Sequence, residues 1–232
     1  MPGLFVTAAG TGIGKTYVAA RLVEYLRRRG DDVRAFKPVV TGYTAHTMAE
    51  SDCAVLLAAL GEPVSPERIE AVSPWRYRAP LGPIAAAAAE GRRIDFGAIA
   101  RFVGDAVHAS GTGFTIVEGL GGVMVPFDEE HTLLDLVTLS ALPAIVVTGT
   151  YLGSLSHTLS ALEVLTTRGV PVAGVVVNES VASAITVDDT ASTLAPFASR
   201  IGSGVFGLRH DPTPGELASM CEAVFGVAGI RR

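Results

Sequence analysis

Thr7-Ala8-Ala9-Gly10-Thr11-Gly12-Ile13-Gly14-Lys15-Thr16 lies between a short apolar run and a helical pattern, and its reading decides the fold. Residues 4–6 read as a buried strand. Residues 15–29 read as a helix, with Val18, Leu22 and Leu26 on one face and Gly30 as C-cap. A glycine-rich turn between strand and helix lets backbone N–H groups turn inward around phosphate oxygens, and the helix N-terminus adds the positive end of its dipole. Gly14-Lys15-Thr16 closes such a phosphate-binding loop (P-loop). Lys15 is placed to reach the β- and γ-phosphates of a nucleotide, and Thr16 to bind Mg²⁺. The strict pattern G-x-x-x-x-G-K-[ST] has glycine where this chain has Ala9. The bland alternative is a glycine-rich turn that binds nothing.

Working outward, short apolar runs alternate with helical patterns. Residues 33–36, 114–117, 144–147, 172–177 and 205–208 read as further strands. Residues 52–60 read as a helix that Ser51 caps and Gly61 ends. Residues 84–90 form an alanine-rich helix. Asp95 caps another, whose apolar face is Phe96, Ile99, Val103 and Val107. Residues 132–142 stop before Pro143. Residues 154–168 carry Leu155, Leu159 and Leu162, and Gly169 closes them. Residues 188–199 and 215–225 complete the helices. Strands without polar alternation are buried on both faces, and strands separated by helices run parallel. The expected architecture is α/β: an open, mainly parallel sheet flanked by helices on both faces, of P-loop NTPase type, with residues 1–232 as one domain. Ligands then bind beyond the carboxyl ends of the strands. Residues 61–83, rich in proline and arginine, read as a surface excursion.

Composition narrows the partners. Hydrophobic residues make up 49% and charged residues 18% of the chain, a globular balance. The net charge of -5 argues against nucleic acid. Arg27-Arg28-Arg29 closes a helix, where cations are favoured by the helix dipole. Cys53 and Cys221 lie in helical patterns and suggest neither a disulfide framework nor a metal site. His46, His108, His131 and His210 have no metal-ligand spacing. With no signal peptide before the first strand and no apolar run near ~20 residues, a cytoplasmic protein with no membrane partner is expected.

Four motifs at strand ends carry a resemblance. They are Ala8-Ala9-Gly10-Thr11-Gly12-Ile13-Gly14-Lys15-Thr16; Lys37-Pro38-Val39-Val40-Thr41-Gly42; Ser51-Asp52; and Val117-Glu118-Gly119-Leu120-Gly121-Gly122-Val123-Met124-Val125-Pro126. In this order they resemble the dethiobiotin synthetase family over nearly the whole chain. Ala8 replaces the first glycine of the family's loop. The resemblance implies ATP-dependent closure of a cyclic urea from 7,8-diaminononanoate and CO₂, through a carbamate and a carbamic–phosphoric anhydride. It also implies ATP and Mg²⁺ as cofactors and a homodimer.

The resemblance assigns Lys37, Lys15 and Thr11 to catalysis. It implies nucleotide contacts from Gly12, Ile13, Gly14, Lys15, Thr16, Tyr17, Glu118, Gly119, Leu120 and Gly121. Asn178, beside Glu179, matches the family asparagine that reads the nucleobase, and Gly207-Leu208-Arg209 falls where the family lines the base pocket. Substrate contacts are implied for Thr41, Gly121 and Gly122. Gly153, Ser154 and Ser156 open a helix that, in the family, binds the substrate carboxylate across the dimer through backbone N–H groups. Thr16, Asp52 and Glu118 are the implied Mg²⁺ ligands. From position alone, Lys37 is equally an ordinary solvated lysine. Asp52 reads better, on sequence alone, as a first-turn helix carboxylate beside Ser51; the alternative for Thr41 is a turn hydroxyl and for Asn178 a turn residue. Glu118 ends an apolar strand, where a charge rarely sits without a partner. His157 reads as a packing or interface residue.

The rival reading is a switch ATPase of the MinD/ParA type, which binds a protein partner. Its hallmark lysine, five residues before the P-loop lysine, is Gly10 here. Cobyrinate-type amidotransferases need a glutaminase domain that this chain lacks. A degenerate nucleotide-binding module is the third alternative.

Overall fold

In the computed structural model, which describes residues 2–109, 111, 113–181 and 183–227, the elements follow in the order β1 (Gly3–Ala8), α1 (Lys15–Arg28), β2 (Val33–Phe36), β3 (Val39–Thr41), α2 (Asp52–Leu60), α3 (Pro66–Val72), β4 (Trp75–Tyr77), α4 (Pro83–Ala88), α5 (Phe96–His108), β5 (Phe114–Glu118), α6 (Leu133–Ser140), β6 (Ala144–Gly149), α7 (Ser154–Thr167), β7 (Val172–Asn178), α8 (Val187–Ser199), β8 (Val205–Leu208) and α9 (Pro214–Val227). Six strands form one parallel sheet in the order β2-β5-β1-β6-β7-β8. The chain visits the β2 side of β1 first and the β6–β8 side afterwards. Winding therefore reverses at β1, and a crevice opens at its carboxyl end. The P-loop occupies that crevice.

The sheet is covered on both faces because its side chains alternate. Leu4, Val6, Ile116, Ile145 and Val147 pack with α1, α2 and α9 through Val18, Leu22, Leu56 and Phe225. Phe5, Val117, Val146 and Val175 pack with α5 to α8 through Ile99, Leu133, Leu165 and Leu194. α2 has the bounds read from Ser51 and Gly61: the Ser51 hydroxyl accepts the Ala54 N–H, and Gly61 adopts φ 69°. Arg27 does more than complement its own helix, since its Nη1 donates to the Ala59 carbonyl at 2.8 Å and so closes α2 from α1.

Two expectations need correction. Residues 61–83 are not a surface excursion. They contain α3 and β4, and β4 pairs in parallel with β3 in a second, two-stranded sheet. Ile69 and Tyr77 are fully buried, and Ile69 and Val72 join Val40, Cys53 and Leu57 in a small third cluster. Proline and arginine misled the reading because Pro66 starts a helix at its first position and Arg76 lies over the Tyr43 ring. In α7, Leu155 is 38% exposed; the buried face is Ser154, Thr158, Ala161, Leu162 and Leu165. The buried Thr158 hydroxyl is satisfied by Thr148 and by the Ser154 carbonyl, which lets a polar residue take the inner stripe.

If residues 61–83 belong to the core, Ile69→Ala should cost about 2–5 kcal/mol. Denaturant unfolding measures this; a loss within about 0.5 kcal/mol is what a surface position would give.

Candidate active site

The P-loop is shaped by two left-handed glycines, Gly12 at φ 71° and Gly14 at φ 88°. A Cβ on Gly14 would lie 2.2 Å from Asn178 Nδ2, so both dihedral and space demand glycine. Ala9 is not in the left-handed region, which is why alanine is tolerated there. Neighbouring strands anchor the loop's start: the Ala9 N–H donates to the Val147 carbonyl at 2.9 Å, and the Val123 N–H to the Ala8 carbonyl at 3.0 Å. Lys15 is buried, and its Nζ donates to the Gly10 carbonyl at 3.2 Å. Burial, then the neighbouring Lys37 charge, lowers its pKa to about 8.

A charged cluster lies beside the loop. β2 ends one residue before Lys37, whose ammonium is 3% exposed. Its Nζ donates to Glu118 Oε1 at 2.6 Å, to Thr16 Oγ1 at 3.1 Å and to Asp52 Oδ2. The Thr16 hydroxyl donates to Glu118 Oε1 at 2.6 Å. Lys37 is thus not a solvated lysine. Burial alone would lower its pKa, but Glu118 and Asp52 outweigh it and hold the ammonium above its ordinary value. Burial raises the Asp52 pKa, and Lys37 more than reverses this, so the carboxyl sits below its usual range. Ser73, unremarked in the sequence, donates its hydroxyl to the Lys37 carbonyl, and the Lys37 N–H donates to Val72 at 3.0 Å. Lys15 and Lys37 are the only lysines in the chain.

Hard oxygen ligands suited to Mg²⁺ converge here: the Thr16 hydroxyl and the Asp52 and Glu118 carboxylates. Glu118 Oε2 is buried without a hydrogen-bond partner, and a cation bound there would satisfy it. Among the described residues no set of three or more His, Cys, Asp or Glu forms a stand-alone metal site. The residues therefore fit an ion that brings further ligands with it.

Other expected positions surround this centre unevenly. Gly121, at φ 68°, and Gly122 pack against the P-loop, with ideal Cβ positions 3.4 Å from Thr11 Oγ1 and from Gly10 Cα. Gly119 faces the core, where a Cβ would meet Leu133 at 2.7 Å; Leu120 is half-buried beside it. Asn178 Nδ2 donates to the Ile13 carbonyl at 3.2 Å. Glu179 accepts the His210 N–H at 2.8 Å and so fastens the loop after β8. Gly207 and buried Leu208 end β8, and Arg209 pairs with Asp188 and Glu216. Tyr17 is half-buried under the Arg21 guanidinium. Thr41 ends β3 in the smaller sheet.

The start of α7 faces the P-loop across a cavity of about 510 Å³, lined by residues 9–13 with Tyr151, His157 and Ser180. Gly153 at φ 98° opens the helix with no side-chain cap, Ser154 is buried and Ser156 exposed. His157 is exposed, and its Nδ1 bonds Tyr151 Oη at 3.0 Å. Thr150 and Ser180 exchange hydrogen bonds at 3.0 and 3.1 Å, joining the loops after β6 and β7. Common small hydroxyls gave no signal for these ties.

A family model described as an AAA domain matches residues 2–206. The ATP-dependent dethiobiotin synthetase BioD of Caulobacter sp. (strain K31) is 46% identical over 200 residues, covering 85% of this chain and 84% of the relative. That of Acidiphilium cryptum (strain JF-5) is 41% identical over 195 residues, covering 84% and 87%. Among solved structures, the MinC:MinD cell division protein complex of Aquifex aeolicus aligns with TM-score 0.57 over 99% of this chain and 95% of that one. At 12% identity this likeness is one of fold alone. No helix among the described residues is long and apolar enough to cross a membrane.

Gly14→Ala should abolish nucleotide binding while leaving a folded protein; unchanged affinity by calorimetry would contradict the loop geometry. Side-chain-labelled lysine should give two NMR signals in the metal-free, nucleotide-free protein. Lys15 should titrate near pH 8 and Lys37 above the ordinary lysine range. Because triphosphate favours the Lys15 ammonium, ATP affinity should fall as pH rises through 8, with proton uptake on binding. An ATP affinity unchanged between pH 7 and 9 would refute this, those bounds being about one unit either side of the Lys15 value.

Proposed function

The chain belongs to the ATP-dependent dethiobiotin synthetase family, and on that premise we propose that it closes the cyclic urea of dethiobiotin from 7,8-diaminononanoate and CO₂. It is a ligase that uses ATP. One amine takes up CO₂ and loses a proton, giving a carbamate. The carbamate oxygen attacks the γ-phosphorus and ADP leaves, forming a carbamic–phosphoric anhydride. The second amine attacks the carbamoyl carbon, loses a proton and expels phosphate.

The observation that carries this reading is the meeting of Lys15, Thr16, Lys37, Asp52 and Glu118 at the carboxyl edge of one sheet. Phosphoryl transfer is mainly positioning and charge neutralisation. Lys15 holds the β- and γ-phosphates, with Thr11 and the backbone of Gly12, Ile13 and Gly14 around them. Lys37 neutralises the carbamate and the transferring group. Thr16, Asp52 and Glu118 would hold Mg²⁺, which would supply Lewis-acid neutralisation of phosphate charge. Gly121 and Gly122 let backbone approach the phosphates and the diamine. Asn178, oriented by its bond to Ile13, offers its remaining amide oxygen to the base. The chain acts as one domain in the cytoplasm and as a homodimer, with the uncapped N-terminus of α7 presenting N–H groups to the substrate carboxylate in the partner's site. Exposed Leu152 and Leu155 beside that helix start support a subunit contact.

Phosphate release should require ATP, the diamine and CO₂ together, with dethiobiotin identified by mass. Lys37→Ala should keep much of the ATP affinity and lose about 10²–10³-fold in rate, as loss of a transition-state charge contact does. Rapid hydrolysis indifferent to the diamine would replace this reading with a switch ATPase. A fully active monomer by light scattering would remove the shared site.

A further inference from the structure

The three residues assigned to Mg²⁺ are also the three that Lys37 holds. Its Nζ donates to Thr16 Oγ1 at 3.1 Å, to Glu118 Oε1 at 2.6 Å and to Asp52. Those contacts use all three N–H bonds of an ammonium. We propose that the Lys37 ammonium is a resident counter-ion standing in the metal position of the unloaded enzyme, and that loading of metal with nucleotide displaces it towards the reacting anion. This rests on the reading of Thr16, Asp52 and Glu118 as metal ligands.

Electrostatics explains the arrangement. Glu118 is 1% exposed, and a carboxylate buried there needs a cation. Lys15 does not serve, because its Nζ is turned to the Gly10 carbonyl. Lys37 fills the need from just past the end of β2, where Ser73 and Val72 hold its backbone and no hydrogen bond but those to the three acceptors fixes its ammonium. A divalent ion held by the same three residues would stand beside the ammonium as a like charge, so the two oppose each other. Two carboxylates and a hydroxyl are too few ligands to draw Mg²⁺ away from water and displace an ammonium as well. Mg²⁺ characteristically takes one or two carboxylates together with substrate phosphates. The metal therefore enters with the triphosphate. Lys37 leaves its carboxylates as the γ-phosphate arrives, when the site has new negative charge for it to neutralise.

Binding of Mn²⁺, followed by electron paramagnetic resonance without nucleotide, tests this. Wild type should bind it weakly. Lys37→Met should bind it on the order of tenfold or more tightly, since one opposing unit charge is gone. The added Glu118→Gln change should abolish that gain. No gain in Lys37→Met, while wild type with nucleotide still binds Mn²⁺ in a Glu118-dependent way, would overturn the exchange and leave the metal site standing. Nucleotide-supported Mn²⁺ binding indifferent to Glu118→Gln would sink the ligand assignment and the exchange with it. Should Lys37→Met fail to fold, the wild type decides. With two lysines in the chain, the Lys37 ammonium signal in ¹⁵N-lysine protein should move on adding Mg²⁺ with a non-hydrolysable ATP analogue. A signal that stays put overturns the proposal.

Discussion

The buried ammonium of Lys37 joins the starts of two helices to the end of a strand. It reaches the first turn of α1 through Thr16, the first residue of α2 through Asp52 and the last residue of β5 through Glu118. Such a cluster is a poor source of stability, because desolvating the charges offsets much of their attraction. Its value lies in place. Three acceptors fixed by two helix starts and a strand end hold one cation at the mouth of the crevice, and removal of that cation would leave the buried Glu118 carboxylate without its ion pair.

The P-loop depends on the same convergence. Its first residues are pinned by backbone bonds to β6 and to the loop after β5, and its middle by Asn178 at the end of β7. Strands on both sides of β1 therefore shape the phosphate cradle. This follows from the sheet order, since β1 lies where the winding reverses. The same order also explains why Ala8 and Ala9 are accommodated: both act through main-chain groups, and neither needs a left-handed dihedral.

This fold serves regulatory ATPases as readily as synthetases, so architecture alone does not separate them. The distinction lies in side chains. Gly10 stands where a switch ATPase carries its extra lysine, and the second lysine comes instead from the end of β2. It arrives beside two carboxylates, suited to a reaction whose intermediates are anions.

Much of the frame is written in local pattern. The main strands are continuous apolar runs, α2 is bounded by Ser51 and Gly61, and α5 shows its buried face in Phe96, Ile99, Val103 and Val107. The P-loop is equally local, since glycine dihedrals and a following helix are properties of neighbours in the chain. The β3–β4 sheet was not legible, because three-residue strands leave too short a period to detect and their pairing spans the intervening helices. The inner face of α7 was misread because its threonine is satisfied by partners outside its own pattern. The role of Lys37 was beyond the sequence for the same reason. Glu118 lies 81 residues from it and 102 from Thr16, and residue type cannot say whether a lysine after a strand meets water or two carboxylates. Motif and period determined which groups stand at the carboxyl edge; only the tertiary order of the strands, which sets long-range distance, decided that they share one cation.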